Sequence, residues 1–253
     1  MKSGMLIPLL AILLGTPAEA ATDSAMPAVI AAALADPHRP ADQFARDAMR
    51  KPADVILFAG LKPGDRVGDF MPASGYFTRI FSRIVGPKGH VYAYVPDEEI
   101  KNCSPGETAG ALALAHDPDY ANVTVSTGPV NLYSAPETLD MVWTAQNYHD
   151  LYDPFMGPAD LARFDKAVFR ALRHGGVFLV IDHVAEAGSG TRDANTLHRI
   201  DPAIIERDVE VAGFTLAGSS DVLRNPADTH TLRVFDPQIR GKTDQVVLKF
   251  VKP

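Results

Sequence analysis

From Arg66 onward the chain alternates short runs rich in β-branched and aromatic residues with amphipathic helical stretches, and this alternation restricts the fold more than any other feature. "RVGDF" reads as a strand, and "YFTRIFSRIVG" as a helix with Phe77, Ile80, Phe81 and Ile84 on one face. "GHVYAYV", "NVTVST" and "LDMVWTA" are further strands, with the helical "GETAGALALAHD" between the first two. "ADLARFDKAVFRALRHGG" is the clearest helix: Leu161, Phe164, Val168 and Leu172 recur at helical spacing, and Gly175 stands where a left-handed cap belongs. "GVFLVIDHV" is nearly unbroken in its apolar content, as a strand covered on both faces requires. "TLHRIDPAIIERDVEVAG" reads as helical around Pro202, which places His198 and Asp201 on one helix face. "FTLAGSSDVL" and "QVVLKFVKP" close the order as two strands, joined by the long "NPADTHTLRVFDPQIRGKT". Strands separated by helices pair in parallel, so the expectation is an α/β fold on a parallel sheet.

The preceding residues read differently. Lys2 precedes "MLIPLLAILLG", an apolar run of signal-peptide length and too short to span a bilayer, and Ala18 and Ala20 supply the small residues of a cleavage site. Residues 1–20 are therefore expected to be a signal peptide cut after Ala20, leaving 21–253 as a single domain; an uncleaved anchor or a buried helix is the alternative. The mature chain is expected to be periplasmic or secreted, with no stable membrane association, because no other segment is long and apolar enough to cross a bilayer. Residues 26–60 read as helices, with prolines opening "PADQFARDAM" and "PADVILFAG" and Gly60 as a stop. With 253 residues and 46% hydrophobic content the chain can bury a full core. A net charge of −7, with Lys and Arg scattered, argues against a nucleic-acid partner. The single cysteine, Cys103, has no partner for an intramolecular disulfide.

The order of elements, with a helix before two closing strands and "AGF" between that helix and the sixth strand, resembles the class I S-adenosylmethionine-dependent methyltransferases. The resemblance covers roughly residues 41 to 253. "LKPGDRVGDF" looks like the approach to the family's first motif, "LDMVWTAQNYHDL" like its fourth strand, and "FRALRHGGVFLVIDH" like the helix and fifth strand beyond. "NYHDLYDPFM" and "TDQVVLKFVKP" are similar to a group of predicted exported methyltransferases of uncharacterised substrate. The resemblance implies a Rossmann-like sheet of seven strands, mostly parallel, with an antiparallel last strand inserted between the fifth and sixth. It also implies S-adenosyl-L-methionine as cofactor and a small-molecule substrate.

In that family an acidic residue ends the first strand and a glycine-rich loop follows. Asp69 and Gly75 match, whereas Met71 and Ala73 stand in place of two glycines; each Cβ narrows access to positive φ, and Pro72 stiffens the loop. The resemblance assigns Asp69, Ala73, Ser74, Gly75 and Tyr76 to the cofactor, a ligand-free turn being the alternative. The acid that grips the ribose hydroxyls falls on Val95; Asp97 and Glu98 follow and substitute if the loop folds back, and otherwise are solvated charges. The adenine-contacting acid aligns with Pro129, two residues before Asn131, and Gln146 follows strand four. Asn131 and Gln146 complete the expected cofactor set with Asp97.

Ligands of open α/β sheets bind at the carboxyl ends of the strands. "AQNYHDLYD" and "DHVAEAG" therefore bring Asn147, Tyr148, His149, Asp150, Asp182 and His183 to one rim, and "LHRID" adds His198, Arg199 and Asp201. His149 is the first candidate for a general base and His183 the second, since imidazole titrates near neutrality; Asn147 and Tyr148 would position the reactants. The ordinary alternative for either histidine is a hydrogen bond to structure. No short zinc-ligand spacing joins His149, His183 and His198, so no metal is expected. The dinucleotide glycine fingerprint and the nucleophile elbow are both absent. Two readings remain: an exported methyltransferase, and a non-catalytic ligand-binding module on the same scaffold.

Overall fold

The computed structural model describes residues 18–157 and 159–253. Residues 1–17, most of the expected signal peptide, lie outside the described residues. Four helices lead in: α1 (Ala18–Leu34), α2 (Ala41–Phe44), α3 (Asp47–Arg50) and α4 (Pro52–Ala59). Then follow β1 (Arg66–Phe70), α5 (Tyr76–Val85), β2 (His90–Pro96), α6 (Asp97–Asn102), α7 (Pro105–Ala113), β3 (Val123–Gly128) and β4 (Leu139–Ala145). The remainder comprises α8 (Leu161–Ala171), β5 (Leu172–His183), α9 (Ala194–Leu197), α10 (Pro202–Val211), β6 (Thr215–Ser220) and β7 (Gln245–Val251). Among the described residues no helix is long and apolar enough to cross a membrane.

The seven strands form one sheet in the order β3-β2-β1-β4-β5-β7-β6. All neighbours are parallel except the pairs made by β7, which runs antiparallel to both β5 and β6. This is the expected topology. The alternation of side chains about a strand explains the apolar runs, because both faces of the sheet are covered. Phe178 and Val180 of β5 pack on the face shared with Phe164, Val168, Ile205 and Val209. Leu179 and Ile181 pack on the other, with Ile30, Ile56, Ile80 and Phe81. Trp143 of β4 is fully buried on that second face, edge-on to Phe81.

Three local expectations are corrected. The segment after Pro40 is broken into α2 and α3 rather than one helix. Helix α8 stops at Ala171, a turn before Gly175, because Leu172 is drawn into the sheet opposite Leu139. Gly175 does adopt φ +71, but its amide donates to Lys252 O at 2.8 Å, while Lys252 Nζ donates to the carbonyls of Phe169 and Leu172. His198 and Asp201 share no helix: α9 ends at Leu197, His198 is left-handed, and Asp201 caps α10 by accepting from Ala203 N. Pro202 sits at the first position of α10, where its missing N–H is harmless and its ring stops a helix from arriving from before.

Candidate functional site

The loop after β1 keeps a glycine-type backbone without the glycines. Met71 (φ 54), Ala73 (φ 48) and Gly75 (φ 75) are all left-handed. An L-residue there costs roughly 1–2 kcal/mol, so the surroundings must impose the conformation. Met71 N donates to Tyr94 O at 3.0 Å, and Asn147 Nδ2 donates to Met71 O at 2.8 Å. Arg79 Nη1 donates to Ser74 O at 2.7 Å, and Gly110 packs so closely on that carbonyl that a Cβ would lie 2.5 Å from it. The loop is clamped from three sides.

Asp69 lies in β1 as expected, but its carboxyl is buried and accepts from Thr78 Oγ1 at 2.6 Å. Burial pushes its pKa up to about 7, against the lowering effects of Thr78 and the Arg50 charge.

A cleft of about 580 Å³ opens at the carboxyl ends of β1, β4 and β5, where the strand order reverses between β1 and β4. Of the residues singled out in the sequence, Met71, Ala73, Gln146, Asn147, His149, Asp150, His183 and His198 line it. Met71, Ala73, Gln146 and His198 are four of the six non-glycine residues with left-handed φ among the described residues, and all four line this one cleft. Concentrated backbone strain of this kind marks a site whose shape is over-determined by its surroundings. Gln146 accepts from Arg50 Nη2 at 2.7 Å and donates to Gln245 Oε1 at 2.9 Å. Asn147 accepts from Thr144 Oγ1 and so ties the end of β4 to the Met71 carbonyl.

The other expected residues lie elsewhere. Tyr148 is fully buried and donates to Asp165 Oδ2 at 2.9 Å, so it belongs to the core rather than to the reactants. Tyr76 is buried on the opposite face of the sheet and donates to Asp47 at 2.6 Å. Ser74 and Gly75 serve the loop clamp, with no place in the cleft lining. Asp97 is exposed at the start of α6, and Asn131 accepts from Asp160 N at 2.7 Å; neither lines the cleft. Glu98, expected to be solvated unless the loop folds back, accepts from Val130 N at 2.9 Å.

His149 is held on both sides. Its Nδ1 lies 2.7 Å from Asp182 Oδ1, its backbone N donates to Asp182 Oδ2 at 2.7 Å, and its Nε2 lies 3.1 Å from Asp150 Oδ1. Burial pulls the imidazole pKa down, but Asp182 and Asp150 outweigh it and raise it to about 10. A ring so charged donates hydrogen bonds and takes no proton near neutrality, which reverses the expected order of the two histidines. Burial, with His149, Arg199 and Arg50 nearby, drives His183 well below the usual imidazole range, so it stays neutral. His183 Nδ1 meets Thr243 Oγ1 at 2.8 Å.

Four contributors were missed in the sequence. Arg50, at the end of α3, reaches the cleft and stacks 4.8 Å from the Tyr76 ring, with no carboxylate paired to it among the described residues. Burial lowers its pKa to about 10. Glu99 is buried at the rim and raised to about 7, by burial first and then by Asp150. Arg233 and Phe235 arrive from the long connection before β7. Only Glu99 carried a signal, the acidic "DEE" after β2, and it was the last of the three that mattered.

No protein-family model matches the chain. A protein-L-isoaspartate O-methyltransferase of Ignicoccus hospitalis is 27% identical over 128 residues, 51% of this chain and 52% of that protein. The match thus spans about half the length of the curated relative. Among solved structures, a SAM-dependent methyltransferase from Aquifex aeolicus superposes with a TM-score of 0.57 at 20% identity, covering 89% of this chain and 98% of that one. The cyclase SpnF superposes with a TM-score of 0.59 at 18% identity, covering 81% of each chain. The chain has the Rossmann-like fold of the class I S-adenosylmethionine-dependent methyltransferases.

Proposed function

We propose that the chain is an S-adenosylmethionine-dependent methyltransferase acting on a small molecule, exported as one domain of residues 21–253 to the periplasm or beyond. One observation carries the cofactor reading: the loop after β1 spends backbone strain at Met71 and Ala73 to keep the left-handed path that lets a ligand approach main-chain atoms. The residues present fit the cofactor in part. Arg50, charged and without a carboxylate partner among the described residues, would take its carboxylate; Gln146 would fix Arg50, and Ala73 would leave room beside the loop. When bound, the cofactor supplies an electrophilic methyl group. His183, neutral and lining the cleft, would accept the proton of the methyl acceptor. Net charge and the acidic cleft favour a small molecule over a nucleic acid.

A specific observation favours the second reading, a non-catalytic ligand-binding module. Val95, in the position of the ribose-gripping acid, is fully buried and offers no carboxylate. Calorimetry of the full chain with S-adenosylhomocysteine separates the readings. The methyltransferase reading expects saturable binding below millimolar ligand, weakened at least tenfold by Arg50→Gln. Wild-type protein that gives no heat at millimolar S-adenosylmethionine or S-adenosylhomocysteine refutes it and leaves the binding module.

A further inference from the structure

Three ligand-type atoms converge at the rim of the cleft. His149 Nε2 lies 3.1 Å from Asp150 Oδ1 and 3.3 Å from His198 Nδ1, and His198 Nδ1 lies 3.4 Å from Asp150 Oδ1. The triangle is nearly equilateral. Ligand atoms about 2.0–2.2 Å from a first-row ion and about 90–110° apart stand about 2.8–3.6 Å from one another. The two imidazoles are within hydrogen-bond reach of one another, but Asp150 Oδ1, buried beside both ring nitrogens, accepts no hydrogen bond of good geometry from either.

The surroundings are those of a metal ligand set. A ligating histidine presents its other nitrogen to a carboxylate, and His149 Nδ1 does so to Asp182. Asp182 is fixed in turn by the amides of His149 and His183, each at 2.7 Å. His198 is held left-handed, at φ 53, between α9 and the bridge to β5, and Phe235 packs 5.0 Å from its ring. His149 and Asp150 follow one another in a single 3₁₀ turn, His149–Tyr152, and their ligand atoms meet at a common point with that of His198. Glu99, Glu107 and Asp153 also line the cleft, so cations are drawn to it.

We propose that His149 Nε2, His198 Nδ1 and Asp150 Oδ1 bind a divalent first-row transition-metal ion whose remaining positions face the cleft. The absence of a short ligand spacing argued against a metal on His149, His183 and His198; the set that converges has Asp150 in place of His183, and its two histidines come from separate segments. Two histidines and one carboxylate on one face leave open positions for water or for an oxygen of a second ligand, which the ion would acidify. The ion takes the place of the Nε2 proton of His149. Arg233 Nη2 now lies 3.0 Å from His198 Nε2; with an ion on Nδ1 that nitrogen carries hydrogen, and the exposed Arg233 turns into solvent. None of this rests on the cofactor reading.

The test is titration of the full chain, stripped with a chelator, with Co²⁺ alone, followed by its visible d–d absorption. One saturable equivalent is expected, at least tenfold weaker in Asp150→Asn and in His198→Ala while the circular dichroism is retained. Arg233→Gln should bind at least as tightly as wild type. Nitrogen-15 shifts of the His149 and His198 rings on Zn²⁺ addition give the same answer on unaltered protein. No d–d bands, affinity unchanged in both ligand variants, weaker binding by Arg233→Gln, or unmoved ring nitrogens would each overturn the proposal. Because cofactor is absent throughout, failure here is distinct from failure of the calorimetry above.

Discussion

Glycine substitutions at Ala73 and Met71 separate backbone strain from side-chain burial, since the two residues share a left-handed φ but differ in exposure. Ala73 is exposed, whereas Met71 is 5% exposed and belongs to the core beneath the cleft. Relief of the left-handed penalty returns roughly 1–2 kcal/mol, and the freer unfolded chain takes back roughly 0.4–1 kcal/mol. Ala73→Gly should therefore stabilise by about 0.5–1 kcal/mol, a Tm rise of about 1–4 °C for a chain of this size. Met71→Gly gains the same backbone relief but empties a buried site, at about 2–5 kcal/mol, so it should be net destabilising by about 1–4 kcal/mol. Urea unfolding followed by the fluorescence of Trp143, the single tryptophan and fully buried, reads both. A neutral or destabilising Ala73→Gly would show that the loop carries no strain at 73. Equal effects from the two substitutions would show that Met71 contributes no packing.

Two further outcomes follow from buried charges. Burial pushes Asp165 up to about 8, partly opposed by the Tyr148 hydrogen bond, and the folded chain therefore holds a proton that the unfolded chain releases above about pH 4. Stability should fall as pH rises from about 4 to 8, with Asp69 and Glu99 acting in the same direction, and Asp165→Asn should flatten the upper part of that slope; urea midpoints at pH 5 and 8 that differ equally in wild type and variant would contradict this. Arg199 and Asp228 form a fully buried bidentate pair at 2.8 and 3.1 Å, so Arg199→Met strands the carboxylate and should cost about 3–5 kcal/mol by denaturant titration; a loss under about 1 kcal/mol would remove the pair from the stability account.

The sheet was legible because its strands are covered on both faces, so β4 and β5 are written as apolar runs with no helical reading to compete. Element boundaries were less so. Leu172 and Gly175 continue the helical pattern of α8 in the sequence, yet pairing with Leu139 wins Leu172 for the sheet. The site was half legible for a similar reason. Gln146, Asn147, His149 and His183 sit directly after strand ends, and position alone brings them to the cleft. Tyr148 has the same address, but the 3₁₀ turn sends it into the core toward Asp165. Arg50 and Phe235 reach the cleft only through tertiary return of distant segments, which no local pattern records. The Met71 and Ala73 substitutions suggested a lost loop conformation; the clamp by Asn147, Arg79 and Gly110 retains it.

The position of β7 between β5 and β6 makes the sheet edge and the cleft rim depend on one strand. Strand β6 precedes β7 in the chain, yet it joins the sheet only through β7, which pairs with β5 on its other side. The connection 221–244 is anchored at the same place, since Asp244 adjoins β7 and is tied to Asp228 and Arg224. Arg233 and Phe235 thus hold their places at the rim through a segment fastened beside β7. Loosening β7 would leave the parallel pairs of β1 to β5 in place while freeing the segment that carries Arg233 and Phe235, so ligand binding reports the state of this one strand and compactness alone does not.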